Sequence, residues 1–202
     1  MQFIQFIEYI GIMAFALSGF YIATKHRLDL LGIFISALLT ALGGGITRDA
    51  LANKAPYTFT HLTPGLLVVG VLAFAIFFKL HKNFEVQRNF VFILSDTLGL
   101  ASFAITSAIL GLEVGFGYFG VVLLAFITAV GGGVFRDILL NQIPLLLSTG
   151  LYGTIALVVG TLVFLVDLID FLNPYSIMLI FIFGVIFRLL AYYRGWNLPI
   201  LK

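Results

Sequence analysis

Residues 41–49 read Ala-Leu-Gly-Gly-Gly-Ile-Thr-Arg-Asp, and residues 129–137 read Ala-Val-Gly-Gly-Gly-Val-Phe-Arg-Asp. The offset between them is 88 residues, and it holds without a gap well beyond the motif. Gly11 maps to Gly99, Phe15 to Phe103, Gly32 to Gly120 and Thr40 to Thr128; downstream, Asn53 maps to Asn141, Pro56 to Pro144 and Gly65 to Gly153. Chance matches a few Gly and Ala in apolar sequence, but not Gly-Gly-Gly-x-x-Arg-Asp-x-x-x-Asn-x-x-Pro in register. The chain contains an internal repeat, the feature to seek before any other.

Around the repeat the sequence is apolar. Of 202 residues, 61% are hydrophobic and 10% charged, with mean hydropathy +1.15. A soluble domain carries roughly a quarter charged residues, so this inventory cannot cover a water-facing surface. Hydrophobic windows between polar breaks predict seven spans, at about 3–24, 29–53, 64–81, 89–111, 116–141, 149–170 and 174–193. The expected fold is therefore an all-α integral membrane protein, one transmembrane domain over 1–202. Repeat one covers about 3–81, repeat two about 89–170, and a seventh helix follows at about 174–193. The first span lacks the basic start and small-residue cleavage site of a signal peptide and reads as a retained helix. The absence of Cys removes disulfides and thiol chemistry, and a net charge of +2 without a basic run gives no reason to expect nucleic acid.

Three spans per repeat is an odd number, so the second copy enters the bilayer from the opposite side. Two copies related by a pseudo-two-fold axis in the membrane plane are the arrangement of many transport proteins. One set of loops collects Lys25, Arg27, Lys79, Lys82, Arg88, Arg194 and Lys202, while the other has Lys54 with Glu113, Asp167 and Asp170. Basic loops stay in the cytoplasm, which predicts the N-terminus outside and the C-terminus inside.

Gly43-Gly44-Gly45 and Gly131-Gly132-Gly133 fall within the second and fifth spans. Each glycine disfavours helix by roughly 1 kcal/mol against Ala, and two uses could offset that. One is close packing of helix backbones. The other is a kinked or broken helix whose freed carbonyls and N–H groups line a cavity. The ionisable pairs that follow, Arg48-Asp49 and Arg136-Asp137, point to the second, because charge within a span marks a solute pathway by default. The alternative, compatible with it, is that they are neutralised Arg–carboxylate pairs tying helices together or arginines snorkelling to the interface. Adjacent residues on a helix point ~100° apart, so each Arg and its neighbouring Asp are expected to pair with different helices, not with each other.

The remaining polar residues in the spans also come in matched pairs. Glu8 and Asp96 are either vestibule carboxylates or interfacial residues. Ser18 and Thr106, and Thr40 and Thr128, either line a pore or bond their own helix backbone. Phe15 and Phe103 are candidates for an apolar constriction. The three His residues lie in or near loops without an i,i+4 partner, so no structural metal is expected. No Ser-His-Asp grouping, His-Glu-x-x-His or phosphate-binding glycine loop occurs, and no enzyme or cofactor is expected.

Two copies of Gly-Gly-Gly-[Ile/Val]-x-Arg-Asp, 88 residues apart in a seven-span chain, resemble the prokaryotic members of the trimeric intracellular cation (TRIC) channel family, also described as a two-copy "glycine transporter" domain family. The resemblance implies a homotrimer with a pore in each protomer. It implies bends in the second and fifth helices at 43–45 and 131–133, and conduction of monovalent cations, chiefly K+ with Na+. In that reading K+ is transient cargo, and membrane lipids and two further copies of the chain are the partners. A prokaryotic plasma (inner) membrane is the implied location. The alternative is a carrier for glycine or a similar small zwitterion, with half-helix N-termini and an Arg holding the carboxylate. A scaffold without transport would leave the intramembrane Arg-Asp pairs unexplained.

Overall fold

A computed structural model describes residues 2–80, 85–148 and 151–198, with side chains from 90 onward in the second segment and up to 147. His81, Lys82, Lys202 and the side chain of Arg88, which the span and charge readings use, lie outside the described residues. So does the start of the sixth predicted span at 149.

Helix is the regular secondary structure of the described residues, with no strand among them. In chain order the helices are α1 (Gln2–Lys25), α2 (Leu30–Leu51), α3 (Tyr57–Thr60), α4 (Thr63–Phe77), α5 (Glu85–Glu113), α6 (Tyr118–Leu139), α7 (Leu145–Ser148), α8 (Tyr152–Leu168) and α9 (Pro174–Tyr193). Five are long and apolar enough to cross a bilayer: α1, α2, the part of α5 from Phe90, α6 and α9. The third and sixth predicted spans correspond to shorter apolar helices, α4 with 15 residues and α8 with 17. At 1.5 Å per residue these reach about 22–26 Å, short of a ~30 Å hydrocarbon core. Each is preceded by a one-turn helix, α3 or α7, in a stretch the sequence reading treated as a polar break.

Local chemistry explains the helix ends. Asp29 caps α2 by accepting from the Gly32 amide at 2.7 Å. Asn173 and Ser176 form a reciprocal capping box at α9, with Pro174 in the first turn. Asn53 and Asn141 take the left-handed conformation (φ 55° and 53°) just after α2 and α6, where Asn is the tolerated non-glycine residue. The next amide then bonds back across each end, Lys54 to the Asp49 carbonyl and Gln142 to the Asp137 carbonyl, both at 2.8 Å.

At the triplets the structure corrects one part of the sequence reading, the broken helix. Helices α2 and α6 run as uninterrupted α-helix through Gly43–Gly45 and Gly131–Gly133, with no break that frees backbone groups. The middle glycines serve the packing use instead. A Cβ on Gly44 would lie 2.3 Å from the Thr128 carbonyl oxygen, and one on Gly132 would lie 2.1 Å from the Thr40 carbonyl oxygen. No side chain fits between backbones that close, so only glycine lets α2 and α6 cross here. Beside the crossing, Phe15 of α1 and Phe103 of α5 stack with centroids 5.4 Å apart and planes at 14°. Each ring lies against a glycine of the opposite helix, Phe15 on Gly99 and Phe103 on Gly11. Both contacts repeat with the 88-residue offset.

Candidate functional site

The intramembrane charges that recur with the 88-residue offset form two clusters. In the first, the Arg48 guanidinium bonds Glu8 Oε1 at 2.9 Å through Nη1 and Asp49 Oδ1 at 2.8 Å through Nε. In the second, Arg136 bonds Asp137 Oδ1 at 2.8 Å through Nε and Asp96 Oδ1 at 3.0 Å through Nη1. Ser18 ties the second cluster together, accepting from Arg136 Nη1 at 2.6 Å and donating to Asp96 at 3.1 Å. Glu8 and Ser18 are ten residues apart on α1, which separates the clusters by about 15 Å along that helix. The Gly44–Gly132 crossing and the Phe15–Phe103 stack belong to the stretch between them.

The expectation that Arg and the adjacent Asp avoid each other is overturned. The reach of the Arg side chain lets its Nε fold back onto the neighbouring carboxylate while the fork end contacts another helix. The second carboxylate oxygen explains the rest of the motif. Asp49 Oδ2 accepts from the Tyr57 amide at 2.8 Å, and Asp137 Oδ2 accepts from the Leu145 amide at 2.9 Å. These are the first amides of α3 and α7, each following the matched proline. Arg-Asp-x-x-x-Asn-x-x-Pro therefore encodes one continuous device: a helix end, a left-handed Asn, a proline turn, and a short helix held by the Asp.

The two clusters differ in access. The Arg48 end opens to a cavity of about 200 Å3 lined by Glu8, Arg48, Asp49, Lys54, Thr106 and Glu113. A narrow continuation of about 10 Å3, enough for one water, reaches Gly45 and Phe103. The Glu8 side chain is 19% exposed there. At the other end Arg136 is fully buried, with the Phe92 ring 5.3 Å from its guanidinium carbon. Uncompensated, such burial would be prohibitive; paired and hydrogen-bonded, it is tolerated.

Of the hydroxyls, Ser18 joins a cluster, whereas its counterpart Thr106 lines the open cavity and has no hydrogen-bond partner among the described residues. Thr40 and Thr128 donate to carbonyls of their own helices, Ser36 at 2.6 Å and Leu124 at 2.8 Å. Sequence reasoning missed Tyr57, Tyr152 and Arg188. Tyr57 accepts from Gln5 at 2.9 Å and meets Tyr9 at 3.3 Å. The hydrogen bond with Tyr9, aided by burial, raises the Tyr57 phenol above its ordinary value. A search for Tyr and Arg inside apolar runs, independent of the repeat, would have found the other two. No group of three or more His, Cys, Asp or Glu suited to a metal occurs among the described residues.

The sequence matches the family described as "Glycine transporter" twice, over residues 5–82 and 93–167. The chain belongs to that family. Glycine-transporter-family relatives include UPF0126 membrane protein YvgT of Bacillus subtilis, 32% identical over 96% of this chain and 95% of the relative. UPF0126 inner membrane protein YadS of Escherichia coli is 30% identical over 78% of this chain and 75% of its own length. Among solved structures, a TRIC cation channel studied for its conductance superposes with TM-score 0.84 at 34% identity, covering 98% of this chain and 97% of that one. A prokaryotic TRIC channel crystallised in 0.5 M KCl gives TM-score 0.87 at 31% identity, over 96% and 98%. The TRIC orthologue from Rhodobacter sphaeroides, at 24% identity and TM-score 0.89, shares the fold. Apolar helices and these relatives together make the chain an integral membrane protein of the TRIC family.

Proposed function

We propose that the chain is a channel for monovalent cations, K+ and Na+, with a pathway inside each protomer running between the two charge clusters. One observation carries the reading: each buried guanidinium faces two carboxylates, Arg48 with Glu8 and Asp49, and Arg136 with Asp96 and Asp137. A lone arginine would repel K+. With two acids per arginine, each cluster taken by itself carries a formal charge of −1, which attracts cations into a low-dielectric passage. The solved relatives described as cation channels agree with this reading.

The pathway is proposed to lie between two inverted three-helix repeats, α1–α4 and α5–α8, with α9 outside them. The 88-residue offset of both motif and contacts supports that layout, as do the two family matches, whose starts are 88 residues apart. Phe15 and Phe103 form its apolar narrowing. A zwitterion carrier built on broken helices has less support, since unbroken α2 and α6 free no backbone N–H groups for a carboxylate. We further propose a homotrimer in a prokaryotic plasma membrane, N-terminus outside and C-terminus cytoplasmic. Apolar grooves of about 570 Å3 beside α4 and α5, and 520 Å3 between α2 and α4, suit lipid chains or neighbouring protomers.

Purified protein in planar bilayers and in liposomes tests the reading. Unitary K+ currents are the expected result. Saturable uptake of labelled glycine without unitary events would replace the channel with the carrier.

A further inference from the structure

Arg188 stands apart from the other intramembrane charges. It lies on α9 and is 3% exposed. The ion pairs among the described residues do not include it, and its Nε is buried without a hydrogen-bond partner there. What faces it is aromatic: its guanidinium carbon lies 4.9 Å from the Tyr152 ring centroid and 5.8 Å from that of Tyr192. Guanidinium on a ring face is a favourable contact, more so when desolvated. Tyr152, the first residue of α8, is itself buried with its hydroxyl beside Asp96, and Arg136 Nη2 has no hydrogen-bond partner among the described residues. The two atoms converge on Gly133, whose Cβ would lie 3.2 Å from Tyr152 Oη and 3.6 Å from Arg136 Nη2. Arg188 stacks on Tyr152, and the Tyr152 hydroxyl lies near Arg136, so the three run in series from the helix outside the repeats to the closed cluster.

Charge points the same way. The Arg136 cluster carries one aspartate more than it has arginines, and Arg188 is a cation one ring away. At the Arg48 end the additional cation is Lys54, which is half-exposed and paired with Glu113 at 3.8 Å instead of with the cluster. The residue 88 positions before Tyr152 is Pro64, α9 lies outside the repeats and so has no counterpart, and that end opens to a cavity. The closed end is therefore the one that has this tyrosine and arginine.

We propose that Arg188 is a positioning residue for the closed end of the pathway: it offsets the second aspartate and holds Tyr152 against Arg136, so that α9 governs opening of that end. This inference rests on the cation-pathway reading for its functional meaning. The two are separable by experiment.

The chain has no cysteine, so Ser18→Cys places a single reporter thiol at the closed end. Its rate of modification by a membrane-impermeant cationic thiol reagent is measured on the full chain in proteoliposomes. Adding Arg188→Met is expected to speed modification about tenfold, a typical size for coupling between sites. Arg188→Lys, which keeps the charge but loses the flat stacking surface, should fall between. Tyr152→Leu should speed modification as Arg188→Met does, and the double variant should be no faster than either single. That non-additivity separates action through Tyr152 from general loosening. An unchanged rate with Arg188→Met, or additive effects in the double variant, overturns the proposal. If Arg188→Met does not fold, Arg188→Lys alone and combined with Tyr152→Leu decides by the same criterion. Bilayer recordings of the unmodified chain run alongside. Non-additive labelling without any K+ current would overturn the pathway reading while leaving the Arg188–Tyr152 coupling in place.

Discussion

Gly44 and Thr128 approach so closely that a single methyl group on the glycine would stand 2.3 Å from the threonine carbonyl oxygen. Gly132 and Thr40 repeat the relationship at 2.1 Å. Two helices touching backbone to backbone at a pair of matched points is what a local two-fold relation between repeats would produce.

The three glycines of each triplet are consequently not equivalent. Gly44→Ala and Gly132→Ala force backbones apart and should lower stability by about 1–3 kcal/mol or more. For Gly45→Ala and Gly131→Ala the nearest atoms would be at 3.7 and 3.5 Å, ordinary contact distances. Those substitutions should be neutral or stabilising, by up to ~1 kcal/mol of helix propensity. Thermal unfolding in detergent checks this; equal effects at all four positions would contradict the crossing.

Ser18 and Thr106 occupy equivalent places in the repeat but differ in bonding. Ser18→Ala removes a buried hydroxyl that links Arg136 to Asp96 and should destabilise by about 1–3 kcal/mol. Thr106→Val removes a hydroxyl without a protein partner and preserves volume, so its effect on unfolding should be near zero. A larger loss at Thr106 than at Ser18 would reverse the assignment of open and closed ends.

Charge changes at the open cluster should move K+ conductance in opposite directions. Arg48→Gln makes that end more negative and should raise unitary conductance. Glu8→Gln makes it less negative and should lower it. A unit charge some 5 Å from the ion in water-like dielectric is worth a factor of about 2–4, shrinking as salt rises above ~0.15 M. Recordings at low and high KCl test both sign and salt dependence, and a fall in both variants would remove the electrostatic argument.

Single cysteines at Arg27 and Lys54, in the cysteine-free chain, should be labelled from opposite faces of intact cells, Lys54→Cys from outside. Labelling of both from one face would refute the proposed orientation.

Much of the architecture is legible in the one-dimensional pattern. Apolar runs fix an all-helical membrane protein, because lipid leaves helix as the way for such runs to satisfy their backbone groups. The 88-residue offset pairs Gly44 with Gly132 and Arg48 with Arg136 before any coordinate is known. What the pattern conceals is partnership. Glycine propensity alone suggests weakness at the triplets, and tertiary contact turns Gly44 and Gly132 into points of backbone-to-backbone packing. The 100° turn between neighbours suggests that Arg48 and Asp49 diverge, but side-chain length brings them together at 2.8 Å.

Residue types and periodicity by themselves determined the membrane environment, the all-helical class and the recurrence of the motif, since those depend on interactions local in sequence or with solvent. Only the tertiary structure decided that the Arg48 cluster borders a cavity, that Arg136 is fully buried and that Arg188 rests on Tyr152. Burial and charge pairing join residues as far apart as Ser18 and Arg136, and no local propensity records such contacts.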